Sequence, residues 1–208
     1  MTSIVVFDLL KSTTQPNLNF KEIESKIAKD LSLTARVLKL VNAHSGLDKK
    51  EIKSISQAVV YLGEETLKLL IRVLAVSDLG VDKPSELTKF GLMRAQFMSL
   101  FLAPGGKEMA EQGYLIGLMS ILGAVLDMDL NTVISEFSLD SNSSGALLNY
   151  DGLLGGALKI AMAIEENNWQ AAESILAEVR PATPISSIFE LAEQSRTYAD
   201  DVFAVVSG

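Results

Sequence analysis

The 208-residue chain contains no cysteine, one histidine and one tryptophan, and only 6% of it is aromatic. Without cysteine there is no disulfide framework, no thiolate zinc site and no thiol nucleophile. A reducing compartment, the bacterial or another cytosol, is therefore the expected location. The single histidine, His44, is followed by Ser45. Helical phosphohydrolases that hold a divalent ion with several histidines and a neighbouring His-Asp pair are excluded, leaving only a site made of carboxylates. A Ser-His-Asp hydrolase needs one histidine, but the Gly-x-Ser-x-Gly elbow and the strand that carries it are both missing.

Long apolar runs are scarce too. The uncharged stretch from Gly113 to Leu126 is 14 residues, the length of a core helix and short of the roughly 20 needed to cross a bilayer. The opening MTSIVVFDLLK has no basic region before its apolar part and meets Asp8 early, which argues against a secretory signal. No membrane association is expected.

What is present describes a folded protein: 48% hydrophobic residues and 21% charged, enough to build a core in a chain that should bury roughly 70% of its unfolded surface. The net charge is −8. Residues 1–80 carry 11 Lys or Arg against 9 Asp or Glu, a balance of +2, and residues 81–208 carry 7 against 17, a balance of −10. An acidic majority repels phosphate backbones, so nucleic acid is not an expected partner.

The apolar periodicity is helical almost throughout. Phe20, Ile23 and Ile27 define one helix, and Leu33, Val37, Leu40 and Val41 a second, with Asp30 or Ser32 as its cap. That helix should end between Asn42 and Gly46, and the next should begin around Ser54 and Ser56 and run to Leu62. Gly63 punctuates, Glu64 and Glu65 open the following helix, and Leu67, Leu70, Ile71, Leu74 and Ala75 form its buried stripe. Ser77–Pro84 reads as loop. Leu87 to Phe101 and Glu108 to Leu126 read as two long helices, the second with Gly113 and Gly117 on one face, where small residues permit close helix approach. Helices are then expected at 130–137, 153–164, 169–179 and 185–206, with a Ser-rich turn at 141–144 and Pro181 and Pro184 marking the break before the last. The only strand candidate, Ser3–Phe7, is equally able to open a helix. The expected class is all-α.

Other constellations have ordinary explanations. Asp127 and Asp129 read as helix-end caps rather than cation ligands, and Glu165-Glu166 and Asp200-Asp201 as solvated faces. Gly105-Gly106-Lys107 shares the tail of a P-loop, but Phe101 stands where that motif needs glycine and Glu108 where it needs Ser or Thr. Asn142-Ser143-Ser144 is a formal glycosylation sequon, but secretion of this chain is not expected. His44 reads as a capping or surface residue at a helix C-terminus, and Trp169 as a residue packing a helix start into the core. No cofactor, metal site or catalytic group is expected.

Three segments carry a family resemblance: Asp30-Leu-Ser-Leu-Thr-Ala-Arg-Val-Leu-Lys-Leu-Val-Asn42, Lys53-Ser-Ile-Ser-Gln-Ala-Val-Val-Tyr-Leu-Gly63 and Glu65-Thr-Leu-Lys-Leu-Leu70. Together they resemble the HDOD domain, the HD-related output domain of bacterial signalling proteins. Further on, Tyr114 to Leu126 and Asn168-Trp-Gln-Ala-Ala-Glu173 are similar to the C-terminal part of proteins in which an EAL-type cyclic di-GMP phosphodiesterase domain precedes HDOD. Phe7-Asp-Leu-Leu-Lys11 resembles the joining segment. One departure is Asn42-Ala-His-Ser-Gly46, which lacks the aromatic residue common in that turn.

The resemblance implies an HD-like orthogonal helical bundle with additional C-terminal helices. Its expected layout is an N-terminal linker or helix at 1–15, an HDOD core at 16–105 and a C-terminal helical subdomain at 106–208. It marks Asp30, Leu33, Arg36, Asn42, Gly46, Ser54, Ala58 and Gly63 as structural or interaction residues. It further implies a non-catalytic regulatory module, linked to cyclic di-GMP signalling, that engages protein partners such as an EAL- or GGDEF-type domain in cis or trans, or a second copy of itself. The alternatives are a small-ligand (nucleotide) receptor and a degenerate metal-dependent phosphohydrolase.

Overall fold

A computed structural model describes residues 3–14, 20–45, 52–80 and 82–206. Every described element is helical: α1 (Ser3–Thr14), α2 (Phe20–Ala28), α3 (Leu31–Ser45), α4 (Ile55–Leu62), α5 (Glu64–Leu79), α6 (Ser85–Leu102), α7 (Lys107–Met119), α8 (Leu122–Leu126), α9 (Leu130–Phe137), α10 (Ser141–Leu148), α11 (Gly152–Glu165), α12 (Trp169–Val179) and α13 (Ile185–Val206), with a 3-10 turn at Ala103–Gly105. The expected all-α class is what forms among the described residues. The chain divides into two compact units, Met1–Asp82 with Val202–Gly208, and Lys83–Asp201.

In the first unit α1 lies against α5, and α3 packs on α2, α4 and α5. The expected stripes are buried: Phe20, Ile23 and Ile27 on α2, Leu33, Val37, Leu40 and Val41 on α3, and Leu67, Leu70, Ile71, Leu74 and Ala75 on α5. Burying one such side chain is worth about 1.5–3 kcal/mol, so the stripes, not helix propensity, hold these short helices together. Arg72, also buried, donates from Nε to the Thr13 hydroxyl at 3.1 Å and from its guanidinium to the Thr13 carbonyl. A cation on the last carbonyls of α1 is favourable in both hydrogen bonding and dipole.

In the second unit α6 runs along α7, and α11 packs on α6, α7, α10 and α12. Gly113 and Gly117 do permit close approach. A Cβ on Gly117 would lie 2.5 Å from the Ala95 nitrogen, and one on Gly113 2.9 Å from the Met98 carbonyl oxygen.

Ser3–Phe7 takes the helical of the two readings left open for it and opens α1. Other expectations are corrected. Ser77, Asp78 and Leu79 continue α5 rather than forming loop, and Asp78 is held there by Arg36. The 108–126 segment breaks at Ser120–Ile121, where the Ser120 hydroxyl donates back to the Gly117 carbonyl at 2.7 Å, a local bond that competes with the helix ladder. The Ser-rich turn is instead the first turn of α10. Asp140 accepts from the amides of Asn142 (2.9 Å) and Ser143 (3.0 Å), making serines that favour turns serviceable as a helix start. Glu165 is no solvated residue: its side chain is 7% exposed and paired with Arg94. Trp169 is half-buried rather than in the core, its ring centred 4.4 Å from that of Phe189, which is 45% exposed.

Two stretches, Lys107–Leu126 and Ser141–Glu165, are long and apolar enough by composition to cross a bilayer, at mean hydropathies of 1.4 and 1.2. Each is broken into two helices, and half or more of its apolar window is buried within the fold, 50% and 56%. That is how core helices look.

Candidate functional site

Seven of the eight residues marked by sequence fall within the described part of the first unit, and each is engaged in local structure. Asp30 closes the α2–α3 corner: its carboxylate accepts from the Leu33 amide at 2.9 Å, while its own amide donates to the Ile27 carbonyl at 3.0 Å. Leu33, the third residue of α3, is buried at 3% exposure. Arg36 reaches from α3 to α5 and grips Asp78 with both guanidinium nitrogens, the Nη1–Oδ2 bond being 2.7 Å. That bidentate geometry is the stronger form of a carboxylate pair.

Asn42 bridges the two ends of the α3–α4 connection. Its amide nitrogen donates to the carbonyls of Leu38 and Ile52, each at 2.9 Å, and its oxygen accepts from the Ile52 amide at 2.8 Å. The two bonds to Ile52 imitate a strand pair. Only a side chain with donor and acceptor on one planar group can make them. Ser54 caps α4 by accepting from the Gln57 amide at 3.1 Å, and the Gln57 side chain accepts from the Lys53 amide at 2.9 Å, a reciprocal arrangement close to a capping box. Ala58 is fully buried on the inner face of α4. Gly63 joins α4 to α5 at φ 81°, ψ 160°, backbone reserved in practice for glycine. A Cβ there would meet nothing within 4 Å, so conformation, not space, selects the residue. Gly46 lies outside the described residues, as do the side chain of His44 and the altered turn.

With these groups spent inward, the outer face of α4 carries Val60 at 88% exposure and Tyr61 at 46%, and Leu31 stands 84% exposed at the start of α3. Sequence reading placed Tyr61 within the helix but did not single out its outer face, because apolar periodicity marks core positions and leaves an apolar residue off the stripe unmarked. Among the described residues no three of His, Asp and Glu converge into a set able to hold a metal ion.

The acid pair Asp127 and Asp129 divides its work. Asp129 caps α9 through the Thr132 amide at 3.1 Å, and the hydrogen bonds from Thr132 hold its carboxyl below the usual range. Asp127, in left-handed backbone at φ 53°, pairs with Lys83 at 2.5 Å. In the interior of the second unit Arg94 donates from Nε and Nη2 to Glu165 at 2.8 and 2.7 Å and from Nη1 to the Ser120 hydroxyl at 3.1 Å. Burial pushes the Glu165 carboxyl up against the opposing pull of Arg94. No sequence signal marked Arg94.

The helical architecture has a solved counterpart. A crystal structure from Shewanella amazonensis that carries a phosphohydrolase name superposes over 98% of this chain and 93% of its own with a TM-score of 0.64, at 16% identity; that likeness defines the fold class, an HD-type helical bundle. Within that class, the HDOD domain profile matches residues 1–138, and the chain belongs to the HDOD family. Among curated proteins it is similar to the Vibrio cholerae protein named cyclic di-GMP phosphodiesterase CdgJ, 31% identical over 171 residues, covering 82% of this chain and 40% of that one. It is also similar to Bacillus subtilis YuxH, 30% identical over 173 residues, covering 81% and 42%. The chain thus spans about two-fifths of the length of these relatives.

Proposed function

We propose that this chain is a non-catalytic regulatory module of bacterial, cytoplasmic cyclic di-GMP signalling that works by docking a protein partner. The observation that carries the reading is the division of labour in the first unit. The family-motif side chains of Asp30, Arg36, Asn42 and Ser54 are consumed in caps, a clamp and an ion pair, while apolar Val60 and Tyr61 are turned outward on a short helix held by those contacts. A rigid helix face with aromatic and aliphatic anchors is what helix-mediated recognition requires. The similarity to CdgJ and the HDOD family supports the signalling link. On this reading the activity in that relative's name belongs to the part of it that this chain does not span, and an EAL- or GGDEF-type domain is the partner.

The test is binding of the chain to a purified EAL-type domain, measured by calorimetry with Val60→Ser and Tyr61→Ser variants. Loss of binding in the variants with an unchanged melting temperature supports the reading. Undiminished binding, or none in the parent chain, contradicts it.

A further inference from the structure

The second unit contains a cleft of about 410 Å³ between α11 and α12, remote in sequence from the family motif. That volume lies within the range of small-molecule sites. Its apolar lining comes from Leu153, Ile175 and Val179, and its polar lining includes Lys159 on α11 and Glu178 on α12. Both stand at exposed positions, and neither has a hydrogen-bond or ion-pair partner among the described residues. Tyr150 completes the lining with its side chain part-exposed, the whole residue being 39% exposed, on backbone at φ 60°. A bulky residue in left-handed backbone is rare and costs about 1–3 kcal/mol, and such strain persists where the surrounding structure enforces it. Here the backbone of Tyr150 is packed directly on Gly155 of α11.

We propose that this cleft binds a small zwitterion with an apolar or aromatic body, the class of free α-amino acids. The ligand's carboxylate pairs with Lys159 and its ammonium with Glu178. Its body lies over Leu153, Ile175 and Val179 and against the Tyr150 ring. One cation and one anion, without partners among the described residues, line the same cleft and make a site of zero net charge. The residue balance of −10 over 81–208 opposes a polyanion such as a nucleotide but is indifferent to a neutral ligand. This site stands independently of the docking face on α4.

The experiment is calorimetric titration of the full chain with L-phenylalanine and L-leucine, beside 3-phenylpropionate, which lacks the ammonium, and 2-phenylethylamine, which lacks the carboxylate. Saturable binding of an amino acid is expected, weakened about tenfold or more by loss of either charge. In Lys159→Gln, deleting the ligand's carboxylate should cost little further affinity, and in Glu178→Gln the same should hold for its ammonium. Tyr150→Gly relieves the left-handed backbone, so it should fold at least as stably yet bind more weakly, an outcome a purely structural tyrosine would not give. Absence of saturable binding by either amino acid at millimolar concentration overturns the proposal. So does binding indifferent to Lys159→Gln and Glu178→Gln, or tighter binding of a mononucleotide probe such as GMP.

Discussion

At the scale of single residues, the family-motif landmarks of the first unit are joints. Gly63 has room for a side chain but not the backbone for one, so Gly63→Ala should destabilise the chain by about 1–3 kcal/mol, read as a lower urea midpoint with an unchanged slope. Asn42→Ala removes three hydrogen bonds and strips the Ile52 amide and carbonyl of their partners. A loss of about 1–3 kcal/mol is expected, and Asn42→Asp should not restore it, because a carboxylate cannot donate to the two carbonyls. Much of this was legible beforehand: Asp30 or Ser32 as a cap, of which the structure uses Asp30, and Gly63 as a break follow from residue chemistry alone. The Asn42 clamp was not, since its partner Ile52 lies ten residues on, across a segment with no periodic signal.

At the scale of elements, the stripes on α2 and α3 could be read from spacing because one side of each helix is buried and the other wet, whereas α5 is buried on every side from Leu70 to Val76, so its stripe marks only part of what packs. Where an uncharged run continued, as in 108–126, periodicity gave no reason to stop, and the break comes from the Ser120 hydroxyl turning back on the chain. Glu165 illustrates the opposite error. A Glu-Glu pair near a helix end looks solvated until the Arg94 side chain, 71 positions earlier, is known to reach it. Arg94→Met should leave a buried carboxylate without its counter-charge and cost about 3–5 kcal/mol. Because burial raises the Glu165 carboxyl above its ordinary value, the native state holds the proton more tightly than the unfolded chain. Its contribution therefore favours folding most at pH below the ordinary glutamate value and declines as pH rises through the raised one. Glu165→Gln should remove that decline from a pH series of thermal melts. Gly117→Val, which drives a branched side chain into the Ala95 backbone, should cost at least about 1–3 kcal/mol by the same melts.

At the scale of the whole molecule, an all-helical fold was legible from composition and period, and the HD-like class and the family from the resemblance carried by three ordered segments. The outward face of α4 and the α11–α12 cleft were not, because both depend on which side chains are left over once packing is satisfied. On the proposed reading this fold regulates and does not cleave. The most direct measurement is cyclic di-GMP turnover by the purified chain with added Mg²⁺ or Mn²⁺, followed by separation of linear product. Product accumulating no faster than in protein-free buffer is the predicted result. Saturable, metal-dependent hydrolysis that scales with chain concentration would contradict it.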